Sequence, residues 1–258
     1  MRSAPSRGGF TVVELLVSLG IVSVLVGLLL PSLAAARGTA RTVQSLSNLR
    51  QMTLAATQYA DRWNRFPPAV RYAAGGGGGL RTIAWDWAED ASGEAVPGPL
   101  WAWTDRPDEI MTCPEYHGEA TFGVDPVTGY NYNTTFLGGE APYGTIGFEH
   151  MRWGLRPAAC RRMSETVIFG AGGIRGGTNK FMRAPGNAEG LDPWTLLAGG
   201  QAFRYHGGVT VMAFLDGHVA SGGRPWLPPD ADAAAAEAVM DFPRNGFLAA
   251  DDGPYDPR

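Results

Sequence analysis

Lysine is almost absent from this chain: Lys180 stands alone, and arginine carries nearly all the positive charge. The arginines are scattered along the sequence and form no stripe, and the formal net charge is -4 with a pI of about 5.6. A nucleic-acid partner asks for a basic footprint, so none is expected. Cysteine is scarce too, with only Cys113 and Cys160, and no Cys-x-x-Cys pair exists. Gly-x-Ser-x-Gly, His-Glu-x-x-His and the P-loop are also missing. The stretch Arg71 to Gly79, with its five consecutive glycines Gly75 to Gly79, reads as a loop and is too uniform to be a phosphate-binding fingerprint. Nothing here points to catalysis, and the chain is expected not to be an enzyme.

What is present is uneven. The chain has 258 residues, 45% of them hydrophobic, enough for one large domain or two small ones. Much of the apolar content sits in one block, Phe10 to Leu30, whose one charged residue is Glu14. As a helix this block would be about 31 Å long, close to the hydrocarbon thickness of a bilayer. A short polar stretch with Arg2 and Arg7 precedes it. A secretory signal peptide has the same charged start, and Ala34-Ala35-Ala36 offers a small-residue cut site before Arg37. The apolar run is too long for that reading, and a carboxylate near its start is out of place. An intramembrane charge is by default a functional feature.

Gly9-Phe10-Thr11-Val12-Val13-Glu14 resembles the processing site of type IV prepilins and pseudopilins. The resemblance implies that a prepilin peptidase cuts between Gly9 and Phe10 and N-methylates Phe10. It also implies an inner-membrane, single-pass anchor with the C-terminal domain periplasmic or otherwise outside the cytoplasm. Arg2 and Arg7 before the run and Arg37 and Arg41 after it leave the orientation to the resemblance. A carboxylate in an apolar bundle needs a cationic partner. The new amine of a neighbouring subunit's first residue would serve Glu14 in that way. Export lets Cys113 and Cys160 pair; such a disulfide would contribute about 4 kcal/mol.

Beyond Pro31, Val43, Leu46, Leu49, Met52, Ala56, Tyr59 and Trp63 step by three or four along one helical face. Arg37, Arg41, Gln44, Ser47, Asn48, Arg50 and Asp61 fall mainly opposite. The helix is expected to reach Trp63, with Pro31 and Gly38 as kink points, before Phe66-Pro67-Pro68 ends it. The expected organisation is a leader at 1–9, a helix at 10–63 with its transmembrane part at 10–30, and an exported β-rich domain at 64–258. Strands are expected at Ile83–Trp87, Leu100–Trp103, Gly129–Phe136, Thr166–Phe169 and Val209–Leu215, with no helix between Trp63 and Pro228. Asp230 caps a short expected helix, Ala231–Met240, and an irregular polar tail follows.

Tyr205 to Val219 reads as a β-hairpin with Asp216-Gly217 as a two-residue type I′ turn. The same segment resembles the His-X9-Asp-Gly signature of a bacterial family with prepilin-type leaders, on His206, Asp216 and Gly217. Thr112-Cys113-Pro114, Gly129 to Asn133 and Ser164 to Phe169 resemble its weaker recurrent segments. Imidazole and carboxylate suit zinc-like ions, so His206, Asp216 and His218 form a candidate set. A turn aspartate and two hydrogen-bonded histidines is the plainer reading. Asp192, Asp230 and Asp232 are calcium candidates by residue type alone, without EF-hand spacing. No cofactor is expected. The tryptophans suit a sugar-binding surface, but aromatic residues are more often core.

The expected fold class is α+β and pilin-like: a long N-terminal helix packed on a mainly antiparallel domain. The expected role is a pseudopilin-like subunit of a pilus or type II secretion-like apparatus. Its partners are the prepilin peptidase, the bilayer, and other subunits along the N-terminal helix. The alternative is a non-polymerising, membrane-tethered module that binds a sugar or a metal.

Overall fold

The computed structural model describes residues 11–75, 79–102, 107–116, 129–140, 153–173, 179–188, 199–205, 207–229, 234, 237–238 and 244–258. The chain divides into two units, one ending at Ala40 and the other running from Arg41 to Arg258.

Helix α1 spans Val12–Trp63 and runs through Pro31. In the first unit it is apolar on every side: Val12, Leu16, Leu19, Val22, Leu25, Leu29 and Leu33 are all exposed. A helix hydrophobic all round needs an apolar environment. In the second unit its buried residues are Ser45, Asn48, Leu49, Met52, Thr53, Ala55, Ala56 and Ala60. This corrects the expected face, since Val43 and Trp63 point to solvent while Ser45 and Asn48 point inward. Partners explain the burial of Asn48: its Nδ2 donates to Thr112 O and Tyr130 Oη, both at 3.2 Å. The helix stops at Trp63 because Asn64 takes a left-handed φ of 54°, a common helix terminator.

Strands β1 (Val70–Ala74), β2 (Leu80–Ala84), β3 (Trp87–Glu89) and β4 (Ala95–Pro97) form an antiparallel meander in that order. The expected Ile83–Trp87 strand is broken at Trp85-Asp86, and β1 occupies part of the stretch read as loop. Pro99–Trp101 forms a 3-10 turn in place of the expected Leu100–Trp103 strand, of which Trp103 lies outside the described residues. Pro99 fixes φ and removes a donor, which suits a turn better than a ladder. A short helix α2, Pro107–Met111, also appears where no helix was expected.

A second sheet has the order β10-β9-β6-β5-β7, from β5 (Tyr130–Asn133), β6 (Val167–Ala171), β7 (Phe181–Met182), β9 (Thr210–Phe214) and β10 (Val219–Gly222). Its pairs are antiparallel except β5 with β7. β8 (Gln201–Ala202) pairs with β11 (Asn245–Gly246). The Tyr-Asn-Tyr-Asn run of β5 is buried on both faces. Strand alternation sends Tyr130 and Tyr132 to one side and Asn131 and Asn133 to the other. Tyr132 packs with Trp85 and Phe169 at ring separations of 5.6 and 5.2 Å, and its hydroxyl donates to Pro67 O at 3.0 Å. Asn133 donates to Val167 O at 2.9 Å and Tyr255 O at 2.8 Å, so a strand side chain pins the C-terminal tail. The tail expected to be irregular contributes β11, and Tyr255 near its end is fully buried beside Val167 and Met182.

An ion pair joins the two larger sheets. Lys180 Nζ lies 2.6 Å from Asp86 Oδ2, with the side chains 4% and 0% exposed. Asp86 Oδ1 has no hydrogen-bond partner among the described residues. Burial pushes the Asp86 carboxyl above its ordinary range, and the Lys180 ammonium offsets part of that rise.

Candidate functional site

The anchor begins with a local device that the sequence reading overlooked. Thr11-Val12-Val13-Glu14 is a capping box, Thr-x-x-Glu. Thr11 O accepts the first intrahelical bond, from Leu15 N at 3.1 Å. Thr11 Oγ1 accepts from Glu14 N at 3.2 Å. In return, Glu14 Oε2 accepts from the Thr11 backbone N–H at 2.9 Å and from its hydroxyl at 2.8 Å. Helix starts leave several N–H groups without partners, and this exchange satisfies two of them. Glu14 therefore has a role within its own chain besides any between chains. Its Oε1 takes no hydrogen bond among the described residues. Gly9 and Phe10 lie outside the described residues.

Further along the apolar helix, the hydroxyls of Ser18 and Ser23 donate to Glu14 O and Leu19 O, both at 2.7 Å. Polar groups in the run are thus returned to the helix backbone, as a lipid environment requires. Among the described residues this is the one helix long and apolar enough to cross a membrane, and its most apolar stretch is wholly unburied.

The two cysteines are free thiols, so the expected Cys113–Cys160 disulfide is not formed. Each has its own setting. Cys113 Sγ lies 2.6 Å from Tyr205 Oη, and that hydroxyl donates to Ser45 Oγ on α1 at 3.1 Å. Cys160, half-buried, faces its own turn at Arg156 O, 4.0 Å away. Burial raises the Cys113 thiol and pushes the Cys160 thiol up to about 11. Burial likewise lifts the Tyr205 hydroxyl well above its ordinary value. Cys113, Tyr205, Ser45 and Asn48 thus form a buried polar seam that docks the second half of α1 onto the sheets.

The expected β-hairpin exists, with a different turn. β9 and β10 pair through Ala213 and Val219, and Phe214 N donates to His218 O at 2.9 Å. That leaves Leu215, Asp216 and Gly217 as a three-residue loop. Gly217 takes φ 90°, and no non-glycine other than Asn64 has positive φ among the described residues. A type I′ turn would place Asp216 there as well, so the expected two-residue turn is replaced by a type I turn with a glycine bulge. Asp216 Oδ1 accepts the His218 backbone N–H at 3.1 Å and lies 2.6 Å from His218 Nδ1. Burial is the largest single influence and opposes the charged carboxylate, but the His218 contacts together outweigh it and hold the Asp216 carboxyl below its ordinary value. The His218 ring also stacks on Phe214 at 4.0 Å.

His206, Asp192, Asp230 and Asp232 lie outside the described residues, as does most of the expected helix 231–240. No group of three or more His, Cys, Asp or Glu suited to a metal occurs among the described residues. A groove of about 410 Å³ opens on the β1–β4 meander, between Arg81, Ile83, Glu89, Val96, Pro97 and Trp101.

Residues 5–30 match the model for the prokaryotic N-terminal methylation motif. Residues 34–104 match the family described as a protein of unknown function, DUF1559. Both matches end short of the segment from His206 to Val219. No curated protein and no solved structure matches the chain.

Proposed function

We propose that this chain, whose residues 5–30 match the prokaryotic N-terminal methylation motif, is a pseudopilin-like subunit rather than an enzyme. Prepilin peptidase cuts it between Gly9 and Phe10 and methylates Phe10. The helix from Phe10 to Leu30 then holds it in the inner membrane, with the domain outside the cytoplasm. Subunits assemble along α1 in a pilus or a type II secretion-like apparatus.

One observation carries this reading: α1 exposes large apolar side chains from Val12 to Leu33, and it begins with a capping box inside the stretch that matches the methylation motif. The cap accounts for one Glu14 oxygen. The other is left to pair with the Phe10 amine of a neighbouring subunit. Breaking a pair of that kind is unfavourable because it leaves a charge uncompensated in an apolar bundle.

The cap and the pair are separable by substitution. Glu14→Gln retains an acceptor for Thr11, so the box survives while the charge is lost. Glu14→Leu loses both. Cysteines at Val43 and Leu54, on the exposed side of α1, report neighbours by crosslinking in membranes. Both variants are expected to insert and to lose crosslinking. Wild-type crosslinking in Glu14→Gln would refute the charge pairing. No crosslinking in the wild type would remove assembly and favour a tethered binding module, the reading that the meander groove supports.

A further inference from the structure

The arginines that form no stripe along the sequence do gather in space. Trp63, the last residue of α1, is 58% exposed, and Trp153 is 54% exposed. The Arg62 guanidinium lies 5.6 Å from the Trp63 ring centre. Arg71, on β1, lies 3.8 Å from the Trp153 ring centre, and Arg65 lies 5.9 Å from it. Tyr59 links the two halves: its ring is 6.3 Å from that of Trp63, and its hydroxyl feels the Arg71 charge. All these residues belong to the second unit.

Three features of the cluster are unusual for a chain of net charge -4. Among the described residues none of Arg62, Arg65 and Arg71 forms an ion pair, although Arg162, Arg183 and Arg258 do. Asp61, the nearest carboxylate in sequence, pairs with none of them. The two indoles are large apolar surfaces left in water, where Trp and Arg together are the residues that dominate binding hot spots. Arg71, stacked on the Trp153 ring, has its edge N–H groups held in place to meet a carboxylate two bonds at a time, and Arg65 Nη1 donates to Gly154 O at 3.4 Å, which fixes its guanidinium beside the same ring.

We propose that Trp63, Trp153, Arg62, Arg65 and Arg71 form a binding surface for an acidic polysaccharide bearing carboxylates. Such a polymer presents apolar sugar-ring faces to the exposed indoles and carboxylates to the arginines. Nucleic acid fits less well. A duplex carries a charge every ~1.7 Å, and a chain of this net sign repels so dense a polyanion. A uronate polymer carries at most a single charge per sugar ring. The surface serves an assembling subunit and a tethered module alike, so it does not depend on assembly.

The test uses the full processed chain in nanodiscs, with polygalacturonate as probe and tryptophan fluorescence as readout. The wild type is expected to bind, more weakly as salt rises. Arg65→Gln with Arg71→Gln should weaken binding by about tenfold or more, given the strength of charge-assisted hydrogen bonds. Trp63→Ala, at an exposed position that leaves the core intact, should weaken it by about fivefold. Arg224→Gln, an exposed arginine outside the cluster, should leave it unchanged. The proposal is overturned if polygalacturonate does not bind the wild type, or if both cluster variants bind it equally well. Neutral dextran binding as tightly would remove the role of charge. A single-stranded oligonucleotide binding as tightly would reassign the surface to nucleic acid.

Discussion

Removing the lysine at 180 should unfold the domain more readily than any change on its surface. Lys180 and Asp86 meet at 2.6 Å and are 4% and 0% exposed. At an effective dielectric of about 20 their attraction is about 6 kcal/mol, part of which offsets the cost of burying both charges. Lys180→Met keeps the length of the stem and leaves the Asp86 carboxylate without its cation. Among the described residues Asp86 Oδ1 has no hydrogen-bond partner that would compensate for the lost cation. Breaking a buried pair in this way costs about 3–5 kcal/mol. For a domain of this size that lowers Tm by about 6–20 °C. Asp86→Asn combined with Lys180→Met removes both charges and should recover part of the loss, a coupling that a double-mutant cycle measures.

The Lys180→Met variant has a pH signature as well. Burial raises the Asp86 carboxyl, and removing the cation raises it further. The folded state then binds a proton more tightly than the unfolded one. Stability is therefore highest below the unfolded value and falls as pH rises through the folded value. The defect should shrink on acidification. Thermal unfolding followed by near-UV circular dichroism, from pH 5 to pH 8, checks both statements. A Lys180→Met protein with a wild-type Tm throughout would refute the buried pair.

Other outcomes follow from the same structure. Mass spectrometry should find a mature chain that begins at N-methyl-Phe10; without Arg2 and Arg7 its side-chain net charge is -4 minus 2, or -6. A start at Arg37 would establish an ordinary signal peptide. Non-reducing peptide mapping should find no Cys113–Cys160 link. Native alkylation should reach Cys160 before Cys113, since Cys113 is 3% exposed. A linked pair would overturn that. Amine-reactive labelling should miss Lys180 until the chain is unfolded. Asp216→Ala should weaken folding through the lost turn bonds without removing a metal signal. Because the Asp216 carboxyl sits below its ordinary value, its contribution is complete above the unfolded carboxylate range. It is lost as pH falls through the lowered folded value. Stoichiometric metal that disappears in His206→Ala would refute the structural reading of the hairpin.

The sequence carried the anchor and the fold class because both rest on signals local in the chain. An apolar run of membrane length, a leader motif at its start and a glutamate at fixed offset need no tertiary context. Strands β5, β6 and β9 were readable for the same reason, as short β-branched and aromatic runs between turn residues. Periodicity also set the end of α1, where Phe66-Pro67-Pro68 left the helix no continuation. The side of the helix facing the domain was a different matter. Hydrophobicity placed Val43 and Trp63 inside and Asn48 outside, but a buried polar side chain is settled by its partners. Tyr130, Thr112 and Tyr205 lie far from α1 in sequence, so only folding brings them beneath it.

Tertiary structure decided the rest by the same logic. Cys113 and Cys160 are compatible with a disulfide by composition and export alone. A phenol and a serine hydroxyl at Cys113 gave the thiol another place. Asp216-Gly217 permits either of two hairpin turns, and the pairing of Phe214 with His218 chose the longer. The solitary lysine was only a compositional oddity until folding set it against Asp86, and the scattered arginines were unremarkable until three of them met two tryptophans. Local pattern decides which elements form, because propensity and periodicity act over a few residues. Which polar groups are buried, paired or left free depends on contacts between distant segments, and those exist only in the folded chain.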